Sequence, residues 1–472
     1  MNTYKYMNKT NQSKYKLAAA LLSLLIIPSL LTSCGEDRWA AYEEQTRASH
    51  WIEDTMRVWY YWNEEMPGED DSRYMQNYFA EPETFFKYLL SKNDKFSYID
   101  SLKTGATTRS ISNVSYSYGI EVGSVTLSME GQKDTLVAAA LYVVPDSPAA
   151  EAGLDRGALI SSVGGVPITK SNLSLLNSGP ATTIGLLQIK GSEFVSGGEV
   201  QMAAARDVDD NPVHYANVYA DEAGHRIGYL VYNHFSMGHT NGTEYDDALR
   251  AVFADFKAKN VNELILDLRY NNGGYQSCAE LLSTMIAPAT AIGQVMGYTR
   301  YNNVIGSQPR EMRFDADVIG SGANLDLKRL YVLTGSYTAS ASELVINCLN
   351  PYMEVVLIGT KTIGKNVGSL TFTNHELQIE MHPIVCKVFN SEDKSDYESG
   401  FTPNYQLSDL SSYDTFLPFG NIKENMLSKA LEVITTPAET TTRATRTTTT
   451  RTTITPVEMP ERRPVMTIQR GH

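Results

Sequence analysis

The stretch Leu330-Tyr-Val-Leu333-Thr-Gly335-Ser-Tyr-Thr-Ala-Ser340-Ala-Ser-Glu343-Leu-Val-Ile-Asn-Cys-Leu349 decides the architecture. It opens on a short apolar run, passes through a polar loop with a glycine, and resumes with Leu344, Val345, Cys348 and Leu349 at helical spacing. So short and apolar a strand suits a sheet covered on both faces, as in parallel α/β sheets. Leu264–Leu268 and Val355–Ile358 have the same character, and each also leads into an unusual loop. These loops are Arg269-Tyr-Asn-Asn-Gly273-Gly274 and Gly359-Thr-Lys-Thr-Ile-Gly364-Lys365. In a parallel sheet all three lie at the carboxyl ends of the strands, where α/β proteins place their sites.

Each loop holds a residue with chemical potential and a plainer explanation. Ser340 and Glu343 have capping-box spacing. A nucleophile at a helix start would also gain from free backbone N–H groups and the positive end of the helix dipole. Lys365 reads either as a solvated lysine or as a base, and a base must be desolvated to be neutral near pH 7. A neutral lysine can take the proton of a serine hydroxyl. Gly273-Gly274 is either a tight turn or a place where backbone approaches a ligand. His234, beside the strand Ile227–Val231, is the other candidate base.

Outward from this core, residues 111–205 alternate like strands at Tyr118, Ile120 and Val122 and again over 137–144. Pro148–Leu154 reads as a short helix with Gly153 as its cap, and Gly164-Gly165 as a hairpin. Further out, residues 35–110 read as a small helical region. Trp51, Thr55, Val58, Trp59 and Trp62 fall on one face there, and Phe85, Phe86, Leu89 and Leu90 suggest a second helix.

The ordered motifs resemble the C-terminal-processing, or tail-specific, serine peptidase family with a PDZ domain. Asp267-Leu-Arg-x-Asn-x-Gly-Gly274, Thr338-Ala-Ser-Ala-Ser-Glu343, Gly364-Lys365 and Gly400-Phe-Thr-Pro-Asn404 carry the likeness of residues 206–436. Val144–Ile160 followed by Gly164-Gly165 carries that of a PDZ domain, with Ala158 where an aspartate is usual. The resemblance implies a mixed α/β and β multidomain chain with a ClpP/crotonase-like α/β core. It implies Ser340 as nucleophile, Lys365 as base, and the N–H groups of Gly273 and Ala341 as the oxyanion hole. Tyr118, Gly119 and Ile120 would bind a substrate's exposed C-terminus, the turn before the strand offering N–H groups to the carboxylate. Two positions depart from the pattern. Ser369 replaces the glutamine that usually orients the lysine, so Ser369, Asn366 or a backbone carbonyl would take that task, and Pro351 replaces an aspartate. A peptide-binding lipoprotein of the same fold without catalysis is the competing reading.

The remaining sequence sets the context. A net charge of −14 argues against nucleic acid as a partner. No His/Cys cluster at ligand spacing indicates a metal, and no cofactor is implied. Residues 1–34 read as an export signal: lysines at 5, 9, 14 and 16, an apolar run over 17–31, then Leu31-Thr-Ser-Cys34. That ending resembles a lipobox, which implies a lipid-modified Cys34 and a chain anchored in the bacterial envelope outside the cytoplasm. Cys278, Cys348 and Cys386 read as buried thiols. Residues 437–472, rich in Thr, Arg and Pro, read as a disordered tail.

Overall fold

The computed structural model describes residues 39–102, 114–239, 242–306, 308–436, 452–460 and 462–468. They divide into two units, the smaller formed by residues up to 54 together with 67–88.

The smaller unit takes the first part of α1 (Trp39–Trp59), a short helix Tyr74–Tyr78 and most of α2 (Pro82–Leu89). Ser49 Oγ donates to the Tyr78 carbonyl at 2.7 Å, and the Tyr78 and Phe85 rings meet edge to face at 5.3 Å. The aromatic face expected of α1 is displaced by one position. Ile52, Met56 and the following Tyr60 are fully buried, while Trp51, Thr55 and Trp59 are half-buried and Val58 is exposed. Tryptophan is too large to be enclosed completely with ease, so Ile52 rather than Trp51 turns fully inward.

The larger unit begins with an antiparallel sheet over the predicted PDZ region. Strands β1 (Ile120–Ser128), β2 (Thr135–Val143), β3 (Leu159–Val163), β4 (Thr182–Lys190) and β5 (Glu193–Met202) pair in sequence order. Side chains alternate between its faces. Ile120, Val122, Ala138, Ala140 and Ile160 form one core; Val125, Leu127, Val137, Ala139 and Leu141 pack with Tyr270 and Phe416. The helix Pro148–Glu151 is capped by Ser147, whose Oγ accepts from the Ala150 N–H, and Gly153 and both hairpin glycines hold positive φ.

The expected parallel core is present. Strands β6 (Val213–Ala220), β7 (Arg226–Tyr232), β8 (Glu263–Asp267), β9 (Arg329–Thr334), β10 (Glu354–Gly359) and β11 (Tyr405–Gln406) are ordered as numbered, and only the edge strand β6 is antiparallel. Helices α3 (Glu244–Ala258), α4 (Gln276–Ile286), α5 (Ala341–Leu349) and α6 (Asn425–Thr435) bring their apolar faces to it. Because β8, β9 and β10 are neighbours, their three exit loops are neighbours too. Beneath them Arg269, 1% exposed, donates to Asp267, Asp409 and Glu424 at 2.7 Å each. Arg156 of the PDZ region reaches the same Asp409 at 2.6 Å.

Disorder does not hold for all of residues 437–472. Thr453–Glu458 forms β12, which pairs antiparallel with β1, setting Ile454 opposite Leu127. Val465–Thr467 forms β13, parallel to the strand Gly273–Tyr275 and touching Val367–Ser369. These two short strands complete a second six-stranded sheet and the edge of the PDZ sheet. The segment has few large apolar residues but needs few, since main-chain pairing to an existing edge supplies the contacts.

Candidate active site

Ser340 precedes the first residue of α5 and is fully buried. Its φ of 63° and ψ of −112° lie outside the region an L-residue normally adopts. Such strain persists only where the surroundings over-determine it. Here the surroundings are Thr338, whose Oγ1 donates to the Leu268 carbonyl at 2.7 Å, and Asn271, whose carbonyl accepts from the Ala339 N–H at 3.2 Å. The Ser340 hydroxyl has no hydrogen-bond partner among the described residues. An unheld hydroxyl inside a packed site stands out, because buried polar atoms are nearly always satisfied.

Lys365 lies at the end of the loop after β10 and is 1% exposed. Burial pushes its ammonium down from 10.5 to about 7, against smaller opposing contributions from Asp94, Cys386 and Glu343. Its Nζ donates to the Pro464 carbonyl at 2.8 Å and lies 5.6 Å over the Phe96 ring. Of the three expected orienting groups it is a backbone carbonyl, that of Pro464, that holds it, and neither side chain does. Asn366 donates to the Ser395 carbonyl at 2.6 Å, and Ser369 Oγ donates to the Met466 carbonyl at 3.1 Å. The serine side chain is too short to replace a glutamine in this position, and the asparagine is spent on the neighbouring loop.

Glu343, singled out in the sequence only as half of a capping box, joins the two loops. Its Oε2 accepts from the N–H groups of Ser340 at 2.9 Å and Lys365 at 2.8 Å. Its Oε1 accepts from the Gly364 N–H at 2.7 Å and the Thr362 hydroxyl at 2.6 Å. Burial raises its pKa, and those four donors work the other way. One fully buried carboxylate thus ties the backbone of Ser340 to that of Lys365. The signal was available in Ser340-x-x-Glu343, but only the fold shows that the glutamate also reaches the lysine loop.

Gly273 and Gly274 have φ of 107° and 144°. A side chain at Gly273 would lie 2.9 Å from Ser340 Cβ and would run into the Val465 carbonyl. The Gly273 N–H does not point freely into the site: it donates to Asn271 Oδ1 at 2.8 Å. Taking up an oxyanion there requires that bond to open. Ala341 is the first residue of α5, so its N–H has no acceptor within the helix. His234 donates from Nε2–H to the Asp210 carbonyl at 2.8 Å, which commits that nitrogen to the backbone.

The expected carboxylate-binding turn is also closed. The Tyr118 N–H donates to the Asn177 carbonyl at 3.0 Å, and the Gly119 N–H to Ser117 Oγ at 3.2 Å. Gly119 has φ of 72°, and a Cβ there would collide with Ser147. Its glycine therefore serves close packing rather than ligand approach. Ile120 begins β1. Cys278, Cys348 and Cys386 are buried free thiols, and Cys34 lies outside the described residues.

Known proteins resemble this chain over three of its regions. Residues 226–407 match the model of peptidase family S41, residues 47–98 that of the S41 N-terminal domain, and residues 140–175 that of a PDZ domain. A carboxy-terminal-processing protease of Bartonella bacilliformis is 29% identical over 288 residues, 59% of this chain and 58% of that protein. A chloroplastic carboxyl-terminal-processing peptidase of Arabidopsis thaliana is 28% identical over 231 residues, 48% of this chain and 43% of that one. The chain thus spans about half the length of these curated relatives. A solved Bacteroides fragilis protein, described as a candidate S41 protease, is 40% identical, with a TM-score of 0.72 over 81% of this chain and 96% of its own. With that agreement along nearly the whole of a solved relative, and with the three motif loops gathered at one end of a parallel sheet, the chain belongs to peptidase family S41.

Proposed function

We propose that this protein is a serine endopeptidase of the C-terminal-processing type, with Ser340 as nucleophile and Lys365 as its base. The observation that carries this is the pairing of two unusual groups on loops that one carboxylate, Glu343, holds together: a strained, buried serine without a hydrogen-bond partner among the described residues, and a buried lysine brought down to about 7. A lysine at that value is about half neutral at pH 7, and its neutral form can accept the Ser340 proton as Oγ attacks a carbonyl carbon. The negative charge then forming on the carbonyl oxygen is met by the Ala341 N–H at the start of α5, and by the Gly273 N–H once Asn271 releases it. Collapse of the tetrahedral intermediate returns the proton to the leaving amine, and water repeats the sequence on the acyl-enzyme.

Protein or peptide substrates enter as extended chains. The PDZ region contributes through the first residues of β1, since β12 already occupies its edge from Ser124 to Ser128, with the Tyr118–Gly119 turn available to a terminal carboxylate only after its two N–H groups are freed. We further propose that Cys34 is lipid-modified and anchors the chain in a bacterial envelope membrane, with its domains outside the cytoplasm; mass spectrometry of the mature N-terminus tests this. The test of the catalytic reading is labelling by a fluorophosphonate probe. Labelling is expected at Ser340 and lost in Ser340→Ala; an unlabelled native protein, or labelling that survives the substitution, overturns the assignment.

A further inference from the structure

The segment around β12 and β13 is held as a peptidase would hold a peptide. Most of its contacts go to its main chain. Tyr337 donates its hydroxyl to the Pro460 carbonyl at 2.7 Å. Asn272 works on both sides of one residue: its Nδ2 donates to the Arg463 carbonyl at 2.6 Å, and its own carbonyl accepts from the Val465 N–H at 2.9 Å. Lys365 donates to the Pro464 carbonyl at 2.8 Å. Ser369 donates through Oγ to the Met466 carbonyl and accepts from the Ile468 N–H, both at 3.1 Å. Such main-chain contacts are blind to sequence and would serve any extended chain in the same path.

Selectivity comes from two acidic positions beside this path. Arg462 reaches Glu121 of β1 at 3.3 Å, the Tyr142 hydroxyl at 2.6 Å, and the Tyr270 carbonyl. Glu121 is 6% exposed, so its charge is concentrated on whatever lies opposite. Arg463 bonds both oxygens of Asp100, at 2.9 and 3.0 Å, and stacks over Tyr98 at 4.5 Å. Beyond them Val465, Met466 and Ile468 are buried. The path thus reads two basic residues followed by an apolar extended run.

We propose that this path is the substrate channel, that its ligands are extended peptides with paired basic residues ahead of an apolar stretch, and that the chain's own segment ending at Ile468 is its resident competitor. The inference rests on the peptidase reading of Ser340 and Lys365. Two consequences follow from the geometry. A substrate reaches Ser340 only when Val465 leaves its place beside Gly273, so the resident segment holds the enzyme in check. Its departure also releases Lys365 Nζ from Pro464, which frees the lysine to meet the serine hydroxyl.

The test uses the full chain. In a Ser340→Ala background, Arg462→Glu with Arg463→Glu sets like charges against Glu121 and Asp100 and should expel the resident segment. A fluorescent peptide of native sequence 452–468 should then bind about tenfold or more tightly to the reversed chain than to the unreversed one. The same peptide with both arginines changed to glutamate should bind about tenfold more weakly. With Ser340 intact, the reversed chain should turn over an added basic–apolar peptide faster than the native chain. Equal peptide binding by the two chains, no binding by either, or indifference to the peptide's arginines overturns the inference. If turnover is absent from both chains while the binding difference stands, the peptidase reading fails and the channel assignment does not.

Discussion

Two cations are buried to the same degree in the larger unit and behave in opposite ways. Arg269 and Lys365 are each 1% exposed. Arg269 sits among Asp267, Asp409 and Glu424, and although burial alone opposes its charge, those carboxylates raise its pKa well above the usual value. Among the described residues no carboxylate pairs with Lys365 Nζ; its hydrogen bond goes to a neutral carbonyl, and burial takes its pKa down to about 7. Desolvation penalises both charges alike. What separates a structural cation from a reactive one is whether counter-charges repay that penalty. The motif Asp267-Leu-Arg269 supplies the repayment within three residues. The lysine loop withholds it, because the nearby Glu343 is turned toward backbone N–H groups instead.

The sharpest way to break the comparison is to give Lys365 a charge that cannot be removed. Lys365→Arg keeps the cation but not the base, since a guanidinium does not deprotonate in proteins. Turnover should fall by roughly 10⁴-fold or more, as far as in Lys365→Ala or Ser340→Ala, and the double alanine variant should be little worse than either single one. Steady-state kinetics on a peptide substrate decides this. An arginine variant that keeps a tenth of the native rate would mean that charge, rather than proton acceptance, is what the site needs.

Next in size is the loss of Arg269. Arg269→Met leaves Asp267 and Glu424 buried without their partner, and removal of one member of such a buried network costs about 3–5 kcal/mol. Denaturant unfolding should show this loss in the midpoint. A variant as stable as the native chain would show that Arg156 alone balances Asp409 and Glu424, the latter at 3.6 Å.

The two regions were unequally legible in the sequence. The core declared itself because short apolar strands followed by glycine-bearing loops leave a local pattern, which placed Gly273, Ser340 and Lys365 at the carboxyl ends of their strands; that these strands are neighbours came from the fold. The PDZ hairpin at Gly164-Gly165 was legible for the same reason, since positive φ demands glycine. Contacts made between distant segments were not. Nothing local tells that Arg269 will meet Asp409 and Glu424, that Glu343 will bridge to Lys365, or that Asn271 will occupy the Gly273 N–H. The strands around Ile454 and Val465 were hidden most deeply. Their Thr- and Pro-rich sequence lacks the alternation of a strand with its own core, and they exist as strands only because β1 and Gly273–Tyr275 offer edges to join.

The lysine's lowered pKa is also open to a direct test through the pH dependence of stability. Above pH 10.5 the side chain is neutral whether the chain is folded or unfolded, and its titration contributes nothing. As the pH falls from 10.5 towards 7, the unfolded chain takes up a proton that the folded chain with its value of about 7 does not. The unfolded state then binds more protons, so folded stability falls with falling pH across this window by at most about 1.4 kcal/mol per unit. Below about pH 7 both states are protonated and the penalty stays constant. Tyrosines also titrate in the alkaline part of this range, so the comparison is made by difference. Lys365→Met removes the titrating group and keeps most of the apolar stem. Its advantage in unfolding free energy over the native chain should therefore be largest near pH 7 and shrink as the pH rises to 10. Arg269→Met, measured in the same way, should show no such trend, because the guanidinium stays charged throughout. A Lys365→Met advantage that is flat with pH would place the lysine with the paired cations and remove the basis for its role as a base.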